Sequence, residues 1–344
     1  MDVDLLIGIF PQVLLDGITL GFMYALIALG YTMVYGVLEF INFAHSEIFI
    51  LGSFVGAEVL LGFQARGALD TWSPFLLVLV ALLVGMLASG LLAAGVERVA
   101  YRPLRDAPRL IPLISAIGVS FFLQDAIRLF ESLWRNAFNL VYPSMDVMNH
   151  RFELTPAIDI SVKSLVVIGA SLLMLWGLHT IVNRTKLGKA IRAVAEDQAA
   201  ASLMGINVNR MISLTFLIGG AMGGGAGVLF GVQYSLINPY TGFIPGLKAF
   251  TAAVLGGIGN IPGAMVGGLV LGVVEALGAG YIGDLTDLCH IAGISSWLTE
   301  RCKADSHFIL FGSNYQDVFA FVVLILVLVF RPSGLLGERV GDRA

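Results

Sequence analysis

Charge is scarce in this chain. Asp, Glu, Lys and Arg make up 13% of its 344 residues, about half the ~25% usual for a soluble domain. With 57% hydrophobic residues and a mean hydropathy of +0.88, there is too little polar surface for a water-soluble fold. A phosphate-cradling loop is missing: Gly188-Lys189 is followed by Ala190, and no glycine stands five positions before Gly188. The chain therefore has no nucleotide-hydrolysing loop of its own. "GGIGNIPG" (Gly256 to Gly263) imitates a dinucleotide loop, but Pro262 holds the third glycine position and no soluble βαβ unit surrounds it. A tight turn between membrane segments fits better. There is no G-x-S-x-G elbow, and the five histidines (His45, His150, His179, His290, His307) lack metal-site spacing. No catalytic centre, metal or nucleic-acid partner is expected.

What the chain does have is long apolar runs. Nine can be drawn: 8–35, 47–63, 74–97, 111–130, 162–183, 211–234, 244–258, 263–283 and 316–331. Runs of ~18 or more apolar residues read as transmembrane helices; a β-barrel would show short alternating segments. The fold class is all-α, a polytopic membrane helix bundle of eight to ten segments in a single domain over 1–344. The stretches 47–63, 244–258 and 316–331 are short for a ~30 Å core and are expected to be tilted, half-length or re-entrant. The N-terminal "MDVDLLIGIF" carries Asp2 and Asp4 but no base, unlike a cleaved signal peptide, and reads as a retained first helix.

Positive charge sets the sidedness. Arg98, Arg102, Arg105 and Arg109, then Arg184, Lys186, Lys189, Arg192 and Arg210, then Arg331, Arg339 and Arg343 account for twelve of the 20 basic residues. Their short loops are expected in the cytoplasm. Nine spans then place the N-terminus outside and the C-terminus inside.

The loop at 184–210 interrupts the apolar pattern. Good helix formers run from Leu187 to Met204, with Leu187, Ile191, Val194 and Gln198 near one face. Arg192 and Glu196 stand at i,i+4 spacing, where they form an ion pair, and Gly205 is placed to end the helix. Two readings fit: a connector on the membrane surface, or a docking element for a soluble partner whose small patch Ala199, Ala200, Ala201 permits close approach.

Glycine is abundant, 41 residues, and patterned. Gly219, Gly223, Gly227 and Gly231 recur every four residues. Such stripes let helices approach closely in lipid; the partner is expected to be another helix, with one of a second subunit in view. Polar residues cluster in "EFINFAHSEIF", which carries Glu39, Asn42, His45, Ser46 and Glu47. Either Asn42 caps a helix while His45 and Glu47 face cytoplasmic water, or a broken helix lines a translocation path there. Asp16, Glu58 and Glu275 are further charges within apolar segments.

Four blocks, "GYTMVYGVLEFINFAHSEIFILGSF", "LTFLIGGAMGGGAGVLFG", "GLKAFTAAVLGGIGNIPGAMVGG" and "RPSGLLGER", in this order, resemble the LivH-type permeases of branched-chain amino-acid ABC importers. The loop Ala199-Ala200-Ala201, three residues, Gly205 is similar to the cytoplasmic E-A-A loop of ABC-importer permeases, with Ala199 at the glutamate position and Glu196 and Asp197 one turn earlier. The resemblance implies an ATP-coupling surface over Arg192 to Gly205 and two separate ATPase subunits that carry ATP-Mg. It also implies a second, LivM-like permease, a periplasmic solute-binding protein, and residence in the bacterial inner membrane. The solute would be a branched-chain or other hydrophobic amino acid. A urea or short-amide permease, or a self-sufficient secondary transporter or channel, is the alternative.

Two outer features complete the reading. "SLINPYTGFIPG" is a broken turn between spans where a binding protein could dock. Cys289 and Cys302, the only cysteines, share the external loop 284–315, which would face an oxidising compartment, so a disulfide is expected. Mass analysis of the purified protein should show a loss of two hydrogens that reduction restores; two free thiols would rule the bond out.

Overall fold

The structure is a computed structural model that describes residues 3–38, 40–69, 71–105, 107–108, 110–155, 158–285 and 315–337. The expected disulfide of Cys289 with Cys302, and Glu39, lie outside the described residues. The chain runs α1 (Val3–Leu38), α2 (His45–Ala65), α3 (Pro74–Val96), α4 (Leu110–Trp134), the single turn α5 (Asp146–Asn149), α6 (Val162–Arg184), α7 (Lys186–Glu196), α8 (Gln198–Leu203), α9 (Val208–Tyr234), α10 (Phe243–Gly256), α11 (Ile261–Leu285) and α12 (Gln316–Phe330). Helix α3 continues through a π turn (Glu97–Tyr101) and a short tight turn (Arg102–Leu104). Seven of the described helices are long and apolar enough to cross a membrane; α10 and α12 are shorter apolar helices. The polytopic helical bundle is thus the observed fold.

Strand content is small. Leu140–Val141 (β1) pairs with Leu236–Ile237 (β4), and Arg151–Thr155 (β2) with Ile158–Ser161 (β3), all antiparallel. The β1–β4 pair joins the connector after α4 to the turn after α9, and β2–β3 is a hairpin within that same connector just before α6. Tyr142 fixes this end of the bundle. Its N–H donates to the Ser235 carbonyl at 2.8 Å, and its hydroxyl donates to the Ser53 carbonyl at 2.5 Å. Burial pushes this phenol up, so it stays a donor.

The opposite end gathers the loops that hold most of the basic residues. Arg105 donates to Asn209 Oδ1 at 2.6 Å and Gln198 to the Val37 carbonyl at 3.3 Å. The tail closes this end too: the N–H groups of Leu335 and Leu336 donate to the carbonyls of Leu255 and Gly256 at 2.8 and 3.1 Å, satisfying the last turn of α10. "GGIGNIPG" is the turn between α10 and α11 that its glycines suggested, with Gly257 and Gly259 at φ +103° and +92°. There Asn260 accepts from the Gly263 N–H and starts α11.

Helix α9 is the centre. Its stripe does not wait for another subunit; it packs inside this chain, which corrects the expected partner. Gly219 lies against the Gly30 carbonyl of α1, Gly223 against the His45 ring, Gly227 against the backbone of Phe49 and Ser53, and Gly231 against the Tyr142 ring. The neighbouring Gly220 and Gly224 meet Ser89 of α3. Residues on α1, α2 and α3 thus approach α9 at backbone distance, which only glycine allows. Replacing Gly227 by Leu should force α2 from α9 and cost about 1–3 kcal/mol or more. The control Gly118→Ala, at a helical glycine with nothing within 4 Å, should not destabilise and can gain up to about 1 kcal/mol. Thermal unfolding of both variants in detergent checks this, and equal midpoints would refute the packing account.

Candidate translocation site

Two helices begin inside the bundle rather than at its ends. Helix α1 stops at Leu38, yet α2 starts at His45 beside Gly30, eight residues back along α1. Helical rise makes that about 12 Å above the end of α1. His45 also faces Gly223, near the middle of α9 (Val208–Tyr234). The segment after α1 therefore turns back into the bundle before α2 begins. Helix α10, at 14 residues, is about 21 Å long, short of a ~30 Å core. It starts at the same depth, because Gly242 and Gly246 lie against Ser46. Two helix N-termini thus meet at mid-depth, as in transporters built from discontinuous helices.

The polar cluster read from the sequence is assembled here. Asn42, His45, Ser46 and Glu47 are all buried. Asn42 does not cap α2 through its side chain, the first of the two readings; its Oδ1 accepts from the Tyr101 hydroxyl at 2.7 Å. His45 sits edge-on to Tyr31, ring centroids 4.7 Å apart. The Ser46 hydroxyl donates to the Phe43 carbonyl at 2.9 Å and stands 3.3 Å from Glu47 Oε1. The same oxygen accepts from Ser120 of α4 at 3.2 Å. Glu47 Oε2 is buried without a hydrogen-bond partner. None of these groups faces bulk water, so the water-facing reading fails.

Glu47, Ser46 and Ser120 border a cleft of about 490 Å³ between α2, α4 and α10, with Tyr31, Phe121 and Phe250 among its apolar walls. Its lining is aromatic and aliphatic with few polar groups, the usual make-up of a small-molecule site. A second cleft, about 730 Å³, opens below it between the end of α1, α7 and the 258–262 turn.

Three charge clusters that the residue reading did not assemble hold the surroundings. Lys248, the one base of α10, lies 2.6 Å from Glu275 of α11 and 2.6 Å from Asp317 of α12. Tyr24 of α1 donates to the other oxygen of Glu275 at 3.0 Å. Glu97, fully buried, takes Arg102 at 3.1 Å, Arg105, and Ser213 of α9 at 2.5 Å. Glu58 pairs with Arg135 at the far end, while Asp16 is exposed and bonds Gln12. A lone base inside an apolar run is a costly group and was the available signal for Lys248.

The 184–210 loop departs from a single helix. Asp197 breaks it, adopting φ −154° and accepting from the N–H groups of Ala199 and Ala200 at 2.8 and 2.9 Å. Asp197 is thus the N-cap of α8. Arg192 does not pair with Glu196; its guanidinium reaches back to Asn183 of α6 at 2.7 Å, brought close by the sharp turn at Thr185, across which Gly188 packs on the carbonyls of Ile181 and Val182. Ile191, Val194 and Ala201 face the bundle, while Ala199 and Ala200 are exposed. Leu203 and Met204, 88% and 82% exposed, flank the end of α8, and Gly205 closes it at φ +81° with the Ile206 N–H bonded to Ala201. These two side chains were passed over in the residue reading as spacers.

Residues 13–328 match the family model described as the branched-chain amino acid transport system / permease component. The permease protein BraD of the high-affinity branched-chain amino acid transport system of Pseudomonas aeruginosa is 44% identical over 329 residues, 96% of each chain. The permease protein LivH of the corresponding Escherichia coli K12 system is 42% identical over 329 residues, again 96% of each. A probable LivH protein of Methanocaldococcus jannaschii is 26% identical over 317 residues, 91% of this chain and 88% of that one. No solved structure matches. Matched along nearly its whole length, with a mid-depth polar cleft in a helical membrane bundle, the chain belongs to the branched-chain amino acid transport system permease family.

Proposed function

We propose that this chain is a permease subunit of an ATP-driven importer for branched-chain amino acids in the bacterial inner membrane. The single observation that carries the ATP-driven part is α8. It is a short helix set outside the bundle, presenting exposed Ala199, Ala200, Leu203 and Met204 at the end that holds the basic loops. An exposed apolar pair beside small residues is an expensive surface unless something covers it. The partner proposed for it is an ATPase subunit, one of two, that binds ATP-Mg; this chain itself holds no cofactor. On this reading the 184–210 loop and the C-terminus lie in the cytoplasm, as the positive charges indicate.

The solute arrives from a periplasmic binding protein at the end formed by the β1–β4 pair and the β2–β3 hairpin. It then passes the cleft bordered by Ser46 and Glu47, with Asn42 and His45 buried beside them at the start of α2. A second, LivM-like permease is proposed to cover apolar faces such as that of α4 away from the cleft, where Phe122 and Leu133 are 70% and 78% exposed. The urea or amide permease and the self-sufficient carrier gain no support from relatives whose names place them in branched-chain amino acid transport systems.

Reconstituted with its partner subunits, the permease should accumulate leucine only with ATP; uptake by this chain alone, indifferent to ATP, would overturn the proposal. Replacing Ala200 by Glu, or Gly205 by a bulky residue, should lower uptake by about tenfold or more, as when a central interface contact is lost. ATPase-subunit binding should fall in parallel while the protein stays in the membrane. Unchanged uptake in both variants would refute the docking surface.

A further inference from the structure

Glu47 is not fully explained by folding. A first-turn glutamate offsets the positive end of α2, and Ser120 and Ser46 serve one of its oxygens. The other oxygen, Oε2, is buried with no partner, although Glu47 is 0% exposed and borders the 490 Å³ cleft. An unmatched carboxylate oxygen at membrane depth is costly. Among the described residues, buried Glu97 has two arginines and buried Glu275 has Lys248; Glu131 Oε2 is also without a partner, but Glu131 borders a different cleft, between α2 and α4. What Glu47 lacks is a donor that enters through the cleft.

Resting on the functional reading above, we infer that Glu47 is the binding residue for the α-ammonium group of the transported amino acid. The ammonium donates to Oε2, and the branched side chain lies against Phe121, Ile244 and Phe250 of the apolar wall. Ser120 and Ser46 hold the carboxylate so that its free oxygen faces the solute. The positive end of α10, whose first turn lines the same cleft, lies on the side suited to the α-carboxylate. Arg128 does not share the solute with Glu47. Its guanidinium is held by Tyr240 and the Phe138 ring, and Arg128 is not among the residues that border the cleft. The site therefore selects for a primary ammonium and, by its walls, for an aliphatic side chain.

The test compares two ligands that differ only at the amine. The complete transporter in nanodiscs, without binding protein or ATP, is titrated with radiolabelled leucine and competed with 4-methylpentanoate, which keeps the branched chain and the carboxylate. Wild type should prefer leucine by roughly 10- to 100-fold, the range for a hydrogen bond to a charged group. Glu47→Gln should bring the ratio near one, and Glu47→Asp should keep a preference. An unchanged ratio in Glu47→Gln overturns the assignment. Carbodiimide labelling of wild-type protein needs no variant: leucine should protect Glu47 and 4-methylpentanoate should not, whereas equal protection by both overturns it. Loss of ATP-driven leucine uptake by the wild-type complex would instead sink the importer reading. Intact uptake with no leucine-specific protection of Glu47 sinks only the site.

Discussion

The backbone contact between α2 and α9 fixes everything that matters here. Helices in lipid gain nothing from hiding apolar surface from one another, because lipid tails are equally apolar. They hold together by close packing and a few hydrogen bonds. Gly223 and Gly227 leave room for His45 and the backbone of Phe49. Beside them the Ser89 hydroxyl of α3 donates to the Ile48 carbonyl at 2.9 Å. That three-helix contact sets the depth at which α2 begins. Glu47 follows His45 by two residues, so its depth is set by the same contact. With α10 starting against Ser46, the cleft is a consequence of how closely α2 can sit on α9.

Buried charge divides the bundle into parts that are held and a part that is left open. Lys248 ties α10 to α11 and α12, and Glu97 ties the extension of α3 to the start of α9. Removing one partner from such a cluster strands the rest and costs about 3–5 kcal/mol, so these clusters anchor their helices. Their placement is informative. Lys248 and Thr251 point away from the cleft while Leu247 and Phe250 on the same helix line it. One face of α10 is therefore bolted to its neighbours while the other meets the cleft. Glu47, half satisfied, is the buried carboxylate that borders the cleft beside α10.

Much of this was legible in the sequence because lipid imposes simple rules. Apolar runs gave the spans to within a few residues, and the short runs at 244–258 and 316–331 are the short helices α10 and α12. The polar cluster at 42–47 was visible because such residues are costly at depth. What was hidden depends on contacts between distant segments. The expected partner of the α9 stripe was wrong because spacing reports a close approach without saying who approaches. Between a cap and a path-lining residue the sequence leaves Asn42 open, because its partner, the Tyr101 hydroxyl, lies 59 positions away. The Arg192–Glu196 pair rests on spacing alone, but the turn at Thr185 puts Asn183 within reach. The break at Asp197 was obscured by strong helix formers on both sides, since a local cap outweighs propensity of a few tenths of a kcal/mol per residue.

The route from α8 to the cleft is short, and it runs along rigid elements. Gln198, the first residue of α8, bonds the Val37 carbonyl at the end of α1. Eight residues before that end, Gly30 receives His45, and Tyr31 packs on the same ring. Helix α9, which starts just past Gly205, carries Gly223 to the other side of His45. A displacement of α8 in the proposed importer thus reaches the start of α2 from two sides, through α1 and through α9, and both approaches are too tight to absorb it by side-chain adjustment. A ligand shifts such an equilibrium only by its differential affinity for the two arrangements. A docked ATPase acting on α8 and a solute ammonium acting on Glu47 would therefore bias the same element, the first turn of α2, from opposite ends.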